Sequence, residues 1–485
     1  CCILCALYDL CGSKASMKIL MFSITPLFPD HDMGGGQKHL RTIAMHLAQA
    51  GHEITLLSTR RADTPESFRW HERALVLPIL RFRQPFPAPY DTPAYNIASI
   101  VQDVGEYMQQ ADRFYIHDGE FVFPYVYRDK PTVVGLRDNV YPETTQGAFH
   151  FEGDTLIVIS EYARQFFLQT AGRFFPELPQ RMKVIRNSID WTRFQPTPPR
   201  RILNLIPDVH PELHTIVLHP HRPEDSKGIW QTIEVADRLV HQYGFANLRV
   251  LVPRWLGVQA DPGVQDLYNR VEAELSRRNL TEHFIFHPWL SVDLIPEYYS
   301  LGHVTLALGH FVESFGNTVY ESLGCGTPAI VARISSHREL LPENLVDKVD
   351  FGDHDTAAAL AADILRGKRR TPQATMDYLH EHFRVDDQLN AYADTILNAQ
   401  LAAPMKYQFD PISETTRFSL PIWCYRAGSK GIYHDYLVSY YQDQALETLL
   451  DRYPGGFTFA DAQSHGVDQA QVKAWYREGY LVPKG

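Results

Sequence analysis

Short apolar runs alternate with helical segments along most of this 485-residue chain. The first helical segment covers about 37–50, and Gly51 follows its end, where a C-cap is expected. This alternation is typical of parallel strands joined by helical crossovers. We therefore predict a doubly wound α/β domain over residues 17–200. Its predicted strands are Lys18–Ser23, Glu53–Ser58, Phe114–His117, Thr132–Leu136, Thr155–Ser160 and Lys183–Arg186.

A second alternation follows a proline-rich stretch at 195–211, which has the composition of a domain linker. It predicts a second doubly wound domain over residues 201–403, whose final helix packs back on the first domain. Two such halves imply a cleft between them, with ligands at the carboxyl ends of the strands. The predicted strands are Thr215–His219, Arg249–Val252, Phe284–His287, Val304–Leu308 and Ala329–Ala332, with helices near 230–243 and 266–279.

The pattern changes again over residues 404–485, which we interpret as a small, mainly helical accessory domain. A helix is expected near Tyr436–Arg452, and a helix-turn-helix-like unit over 458–481 loosely resembles winged-helix modules. Such folds serve protein contacts as readily as DNA. The unit has few cationic residues, so we favour protein contact or packing on the rest of the chain.

The charge balance argues against nucleic acid as the main partner. The chain has 46 Lys and Arg against 57 Asp and Glu, for a formal net charge of -11. That charge repels a polyphosphate backbone. The sequence has no apolar run of about 18 residues, so no transmembrane segment is predicted, although a surface patch could dock on a membrane.

Cysteine usage separates the first residues from the rest. Four of the six cysteines lie in the first eleven residues, before Met17. We interpret residues 1–16 as a non-native or disordered leader; a metal-binding or lipidated tip would need ligand spacing or a lipobox that this segment lacks. Cys325 and Cys424 are too few for a disulfide framework, which predicts a reducing, cytoplasmic location.

The segment Glu313–Pro328 carries the most chemical information. Gly316 permits close approach of backbone to a ligand, and residues 316–318 are expected to open a helix whose free N–H groups favour a phosphate. Glu321, one turn into that helix, can accept hydrogen bonds from two ribose hydroxyls. Glu313 would face the group beyond the phosphates. The alternative is a solvated acidic pair flanking an ordinary helix.

Two cations lie on the loop after the first strand of the second half. Arg222 and Lys227, the latter followed by Gly228, could neutralise a diphosphate leaving group as the sugar bond breaks. A solvated surface loop is the alternative for such a pair seen alone.

Glu313–Pro328 closely resembles the Glu-x7-Glu signature of family 4 retaining glycosyltransferases of the GT-B fold. Other segments resemble the family's landmarks in the right order, from about residue 17 to 400. They are Gly34-Gly35-Gly36, Gly51-His52-Glu53-Ile54-Thr55, Val158-Ile-Ser-Glu-Tyr-Ala163, Val184-Ile-Arg-Asn-Ser-Ile-Asp-Trp-Thr-Arg-Phe-Gln-Pro196, and Arg222 with Lys227-Gly228. Ser188 and His221 replace glycines of the family pattern, and Arg137 occupies a place where many relatives have His.

The resemblance implies a nucleotide-diphosphate sugar donor bound by the second domain, an acceptor bound by the first, and transfer with retention. No metal or other cofactor is required on this reading. The implied catalytic residues are His117, Glu313, Arg222 and Lys227. The implied donor-binding residues are Gly35, Gly36, Arg222, Lys227, Glu313, Phe315, Gly316, Asn317, Thr318 and Glu321. The acceptor-side candidates are Asp118, Arg137, Asp138 and Asn139.

Two alternatives remain at this stage. One is a relative of similar architecture that phosphorolyses glycans or epimerises sugars; a phosphorylase would need a cofactor lysine that we do not identify. The other is a non-catalytic or regulatory protein that uses residues 404–485 to bind a partner or DNA. The sequence predicts neither the nucleotide of the donor (UDP, GDP or ADP) nor its sugar, and it predicts neither the acceptor nor the oligomeric state. The residues that select the acceptor within the loops at 60–95 and 118–150 are not predicted either.

Overall fold

The computed structural model describes residues 16–32, 34–84, 88–119, 123–254 and 262–484. The leader predicted at 1–16 thus lies outside the described residues except for residue 16. The chain divides into two compact units. The first contains residues up to 158 together with 174–185 and 389–408, and the second contains 159–173, 186–388 and 409–485.

The helices and strands are numbered in chain order. The chain up to residue 185 contains β1 (Lys18–Ser23), α1 (Gly35–Gln49), β2 (Glu53–Thr59), β3 (Phe68–His71), β4 (Ala74–Leu80), α2 (Ala94–Met108), β5 (Arg113–His117), β6 (Thr132–Leu136), α3 (Pro142–Thr145), α4 (Gly147–His150), β7 (Thr155–Val158), α5 (Glu161–Gln169), α6 (Leu178–Arg181) and β8 (Met182–Val184). Residues 186–408 contain β9 (Thr215–Leu218), α7 (Ile229–His241), β10 (Leu248–Pro253), α8 (Pro262–Arg277), β11 (Phe284–His287), α9 (Ile295–Leu301), β12 (Val304–Ala307), α10 (Asn317–Gly324), β13 (Ala329–Ala332), β14 (Asp347–Val349), α11 (His354–Gly367), α12 (Gln373–His382) and α13 (Val385–Leu397). The C-terminal region contains β15 (Arg417–Ser419), β16 (Cys424–Arg426), β17 (Ile432–His434), β18 (Ser439–Tyr441), α14 (Gln444–Arg452), α15 (Phe459–Gln463), α16 (Gln469–Arg477) and β19 (Val482–Lys484).

Each unit is built on one large sheet, and both sheets are predominantly parallel. The first has the strand order β3-β4-β2-β1-β5-β6-β7-β8, with β3 antiparallel to β4. The second has the order β11-β10-β9-β12-β13-β14 and is parallel throughout. Buried aliphatic residues fill both faces of the strands, as doubly wound sheets require. The predicted α/β architecture is therefore confirmed.

In each sheet, the direction in which successive strands are added reverses once. In the first, the chain proceeds from β1 outward through β2 and then returns to the other side of β1 with β5. In the second, the same reversal lies between β9 and β12. Loops that leave the carboxyl ends of two such strands diverge and leave a crevice, which is where ligands bind in open α/β sheets.

Two parts of the chain differ from the sequence-based expectation. The predicted acceptor loop at 60–95 contains β3 and β4, which pair with each other and join the sheet through β2. Pro78 obscured this strand pattern, because proline is rare in paired strands. It is tolerated here because β3 pairs with β4 only as far as Val76, leaving Pro78 beyond the end of that ladder.

The second difference is in the C-terminal region, which contains strands as well as helices. The helix predicted over Tyr436–Arg452 is wrong in its first part: residues 439–441 form β18, which pairs with β17, and α14 begins at Gln444. The Asp443 side chain starts that helix by accepting hydrogen bonds from the backbone N–H groups of Ala445 and Leu446, both at 3.0 Å. The tyrosines before it favour a strand.

Over the part of the chain that the structure describes, none of the helices is long and apolar enough to cross a bilayer.

Candidate active site

The loops that follow β9 and β12 meet at the reversal point of the second sheet. The Ser226 carbonyl accepts hydrogen bonds from the N–H groups of His310 (2.9 Å) and Phe311 (3.0 Å). Gly228 has a φ of +90°, and a Cβ there would lie 2.5 Å from the Gly309 nitrogen. The two glycines therefore allow the backbones to touch, and the loop with Lys227 is fixed against the loop with Glu313.

An ion pair joins these two loops. The Lys227 Nζ lies 2.6 Å from Glu313 Oε1, and the two side chains are 12% and 26% exposed. The Lys227 ammonium also lies 3.5 Å from the centroid of the Phe311 ring. Burial raises the pKa of Glu313, but the neighbouring Lys227 outweighs burial and the net pKa is lowered. Glu313 is therefore ionised at neutral pH.

Arg222 lies on the same loop but is more exposed, with 44% of its side chain accessible. Its Nη2 is 3.3 Å from Glu224 Oε1. The loop then forms a 3₁₀ turn over Asp225–Lys227 and enters α7 through Gly228. The loop thus carries one exposed cation at its start and one largely buried cation at its end.

The helix α10 begins as the sequence predicts. Gly316 caps it with a φ of +84°, and the first turn contains no acidic residue. A Cβ at Gly316 would collide with the His337 ring. Asn317 is exposed and Thr318 partly buried, and free N–H groups in the first turn of a helix are suited to binding an anion.

The other predicted residues of this segment differ in exposure. Phe315 is a core residue, 1% exposed, whose ring stacks on Tyr320 at 4.3 Å. Glu321 is partly exposed and accepts a hydrogen bond from the Tyr299 hydroxyl at 3.3 Å. Thr327, in the Gly-Thr-Pro end of the motif, donates to the Tyr299 carbonyl at 2.7 Å and so fixes α9 beside α10.

A 3₁₀ turn over Ser335–Arg338 supports Glu313, although none of its residues was predicted from the sequence to be part of the site. The hydroxyls of Ser335 and Ser336 each donate to the Glu313 carbonyl at 2.7 Å. The Ser336 N–H adds a third bond at 3.3 Å. The one available signal was a Ser-Ser-His-Arg cluster directly after strand β13, at the sheet edge where ligands bind.

Two neutral histidines lie near the ion pair. Burial, reinforced by Lys227, lowers the pKa of His221 to about 4. Burial lowers the pKa of His337 to about 4 as well, against an opposing effect of Glu313. The His221 Nε2 lies 3.2 Å from the Leu306 carbonyl and must carry the proton, because a carbonyl only accepts. His221, which replaces a family glycine, thus ties its loop to β12.

The predicted residues of the first unit lie at its own reversal point, after β1 and β5. The His117 Nε2 lies 2.9 Å from the Gly36 carbonyl, and the Tyr115 hydroxyl lies 2.8 Å from Nδ1. Burial, with Arg137 nearby, lowers the pKa of His117 well below its usual value. His117 is therefore neutral, with its proton on Nε2 because the carbonyl can only accept.

Gly36 also contacts the acceptor-side candidates. A Cβ at Gly36 would lie 2.6 Å from Asp118 Oδ2, so a side chain at this position would displace the Asp118 carboxylate. Asp118 has a φ of +67°, and burial raises its pKa against the opposing effect of Arg137. The triple glycine thus lets the start of α1 approach the end of β5, with Gly35 as the first residue of the helix.

The remaining acceptor-side candidates follow β6. The Arg137 Nη1 donates to the Tyr392 hydroxyl at 3.3 Å. Asp138 Oδ1 accepts from the N–H groups of Val140 (2.7 Å) and Tyr141 (2.9 Å) and from the Thr144 hydroxyl (2.7 Å). These bonds organise the turn into α3. Burial, together with Asp118, raises the pKa of Asp138 to about 6, and Asn139 is fully buried.

Glu143 is a further buried acid of this unit, and it predicts a pH dependence. It accepts a hydrogen bond from the Tyr90 hydroxyl, and burial raises its pKa to about 7 from 4.5. A carboxyl whose pKa is raised by folding stabilises the native state at low pH and loses that contribution as pH rises through the folded pKa. Between pH 8 and pH 5, wild type should therefore gain roughly 2–3 kcal/mol from this group.

Glu143→Gln removes that titration, and the wild-type minus variant difference in the free energy of unfolding measures it. Buried neutral His117 has the opposite pH dependence, but it is present in both proteins and cancels. Denaturant titrations at the two pH values are the measurement. If the free energy of unfolding had the same pH dependence in both proteins, folding would not raise the pKa of Glu143.

Two family models match parts of the chain. A family model described as glycosyl transferases group 1 matches residues 207–375, and a model described as Glycosyltransferase Family 4 matches residues 33–193. The two matches lie on the second and first halves of the chain; the first of them includes both strands of its reversal point, β9 and β12, and the second includes β5. No curated protein sequence matches the chain.

Solved structures extend the comparison to the fold. A sucrose-phosphate synthase from Thermosynechococcus elongatus aligns with a TM-score of 0.61 at 16% identity, covering 78% of this chain and 98% of that one. Anabaena HepE in complex with UDP and glucose aligns with a TM-score of 0.60 at 19% identity, covering 79% and 99%. A glycosyltransferase from Rickettsia africae aligns with a TM-score of 0.61 at 14% identity, covering 80% and 100%. The Glycosyltransferase Family 4 model thus matches the first half of the chain, the glycosyl transferases group 1 model matches the second, and the chain has the GT-B fold of these structures.

Proposed function

We propose that the protein transfers a sugar from a nucleotide-diphosphate sugar to an acceptor hydroxyl with retention of anomeric configuration. The observation that carries this proposal is the Lys227–Glu313 pair, which lies between the two loops at the reversal point of the second sheet. One of these loops leads directly into the N terminus of α10, where no acidic residue in the first turn balances the positive end of the helix dipole. Positive charge for a diphosphate and a carboxylate for sugar hydroxyls thus lie within one ion-pair distance.

The diphosphate is assigned to the cationic loop and the start of α10. Lys227, Arg222 and the N–H groups at Gly316, Asn317 and Thr318 would bind its oxygens, and their charge stabilises the leaving group as it becomes more negative. These groups supply the charge that other transferases take from a divalent ion, so we propose that no metal is required. Phe315 contributes through its packing on Tyr320, which fixes the loop just before Gly316.

Glu313 and Glu321 are assigned to hydroxyl groups of the donor. The lowered pKa of Glu313 keeps it a hydrogen-bond acceptor, suited to sugar hydroxyls and unsuited to donating a proton. Front-face attack then accounts for retention: the acceptor oxygen bonds to the anomeric carbon on the side from which the diphosphate leaves, and the diphosphate takes the acceptor proton.

The first unit is assigned the acceptor and part of the transferred sugar. Gly35, Gly36 and His117 are proposed to contact the sugar or the departing oxygen, with Asp118, Arg137, Asp138 and Asn139 on the acceptor side. Both ring nitrogens of His117 are hydrogen-bonded within the protein. A polar contact with the sugar therefore requires His117 to release the Gly36 carbonyl or Tyr115.

The role of Glu321 predicts a specific pattern of nucleotide affinity. Glu321→Ala should weaken binding of the preferred nucleoside diphosphate roughly tenfold to a hundredfold, because hydrogen bonds to a charged carboxylate are lost. The 2′,3′-dideoxy analogue should bind wild type and variant equally weakly. Glu282→Ala, at an exposed glutamate of the same unit, is the matched control. If wild type bound the dideoxy analogue as tightly as the ribonucleotide, the ribose contact would be refuted.

Donor turnover tests the function as a whole. Anabaena HepE was solved with UDP and glucose, so UDP-glucose leads a panel that also includes GDP- and ADP-sugars. Release of the nucleoside diphosphate from at least one of them is expected, and NMR of the glycoside or free sugar should show the donor's anomeric configuration at first formation. No release from any donor, across acceptors and in water, would instead favour a non-catalytic protein. Cytoplasmic location and peripheral membrane contact stay predictions from the sequence.

A further inference from the structure

A buried ion pair links the C-terminal region to the turn that supports Glu313. The Arg338 guanidinium binds Asp435 through two hydrogen bonds, Nη1 to Oδ1 at 2.8 Å and Nη2 to Oδ2 at 2.7 Å. The Asp435 side chain is 0% exposed and that of Arg338 is 15% exposed. The Tyr162 hydroxyl donates to Asp435 Oδ2 at 2.8 Å. A buried bidentate pair of this kind fixes the geometry of the segments that carry it.

The pair acts on the donor loop through the 3₁₀ turn Ser335–Arg338. Arg338 ends this turn, and the Ser335 N–H at its start lies 3.4 Å from Asp435 Oδ1. The same carboxylate therefore contacts both ends of the turn. Between those ends, Ser335 and Ser336 bind the Glu313 carbonyl, and His337 packs where a Cβ of Gly316 would lie.

Further contacts hold the C-terminal region at this edge of the second sheet. The Tyr440 hydroxyl donates to the Phe351 carbonyl at 2.8 Å, and Lys430 lies 3.3 Å from Asp353. Tyr433 is fully buried in a cluster with Ala332 and Ile334, at the end of β13. Residues 409–485 belong to the second compact unit of the chain.

We propose that Asp435 is a positioning residue for the donor: by holding the turn Ser335–Arg338, it fixes the Glu313 backbone and the start of α10. This inference rests on the proposed function for its catalytic consequence. It gives residues 409–485 a role in the reaction in place of the DNA or partner binding considered from the sequence.

The test compares full-length Asp435→Asn with wild type in two measurements. The first is amide hydrogen exchange of peptides covering 309–316, without ligand, well below the unfolding temperature. The second is the steady-state kinetics of nucleoside diphosphate release. The amide keeps the shape of the side chain but leaves Arg338 without its charge partner, so exchange at 309–316 should rise. Displacing Glu313 should raise the donor KM about tenfold or more, with kcat also reduced.

Two variants make the comparison specific. Asp451→Asn removes the acid of an ion pair with Arg426 in the same region, in which the side chains are 65% and 42% exposed. It should change neither exchange at 309–316 nor donor KM. If Asp435→Asn does not fold, Tyr162→Phe removes one hydrogen bond to Asp435 but keeps its ion pair with Arg338, and it should give a smaller change of the same kind.

Wild-type values of both exchange at 309–316 and donor KM in Asp435→Asn would overturn the inference, as would faster exchange confined to residues 409–484. Failure of the proposed function is recognised separately, since wild type would then release no nucleoside diphosphate from any sugar nucleotide. In that case the exchange measurement alone decides whether Asp435 positions the Glu313 segment.

Discussion

Lys227→Ala should reduce the release of nucleoside diphosphate from the donor by about a hundredfold to a thousandfold. Loss of one preorganised group that stabilises developing charge has an effect of this size. The substitution also leaves the ionised Glu313 without its 2.6 Å partner. An unsatisfied, largely buried group costs about 1–3 kcal/mol, so a lower unfolding temperature is expected as well.

The two effects of Lys227→Ala can be separated. Assays run well below the unfolding temperature of the variant measure catalysis by the folded protein. Arg277→Ala removes the same charge from a side chain that is 64% exposed on α8, and it should leave turnover near the wild-type value. Lys227→Ala with wild-type turnover would exclude Lys227 from contact with the leaving group.

Gly228→Ala should be among the most damaging single substitutions in the second unit. Alanine is strained at a φ of +90°, and its Cβ would lie 2.5 Å from the Gly309 nitrogen and 2.8 Å from the Gly309 Cα. Strain and overpacking together should cost about 2–5 kcal/mol. The clash also pushes the loop with Lys227 away from the loop with Glu313, so donor turnover should fall at least about tenfold.

Gly244 is the matched control for this substitution. It also has a positive φ, +77°, but a Cβ there meets nothing within 4 Å. Gly244→Ala should therefore show the backbone strain alone, about 1–2 kcal/mol, with unchanged turnover. Thermal unfolding and donor turnover of both variants are the measurements. Equal losses at the two positions would contradict the close packing of the two loops.

The strands of the fold could be predicted from the sequence because they are buried on both faces. The observed bounds equal the predicted ones for Thr132–Leu136, Phe284–His287 and Ala329–Ala332. Short, continuous apolar runs bounded by polar residues are typical of the buried parallel strands of an α/β chain. The strand Ala74–Leu80 was not predicted, because Pro78 interrupts its apolar run. The short strands of the C-terminal region were not predicted either, because a strand of three residues is too short to show a clear alternation of apolar and polar positions.

The candidate site could be predicted only where its residues lie within one motif. The start of α10 after Gly316 is a local property of the sequence, and the structure shows the helix there. The ion pair between Lys227 and Glu313 joins residues far apart in the chain, so only the order of the strands brings them together. The contacts of Ser335, Ser336 and Asp435 are non-local as well, and no motif indicates them.

The central claim is that the second unit binds a nucleoside diphosphate through Lys227 and Glu321. Titration calorimetry of UDP, GDP and ADP against wild type, Lys227→Ala and Glu321→Ala tests it most directly. Wild type should bind at least one of the three at a single site per chain, and each variant should bind that nucleotide at least about tenfold more weakly. Equal affinity in all three proteins, or no binding to wild type, would contradict it.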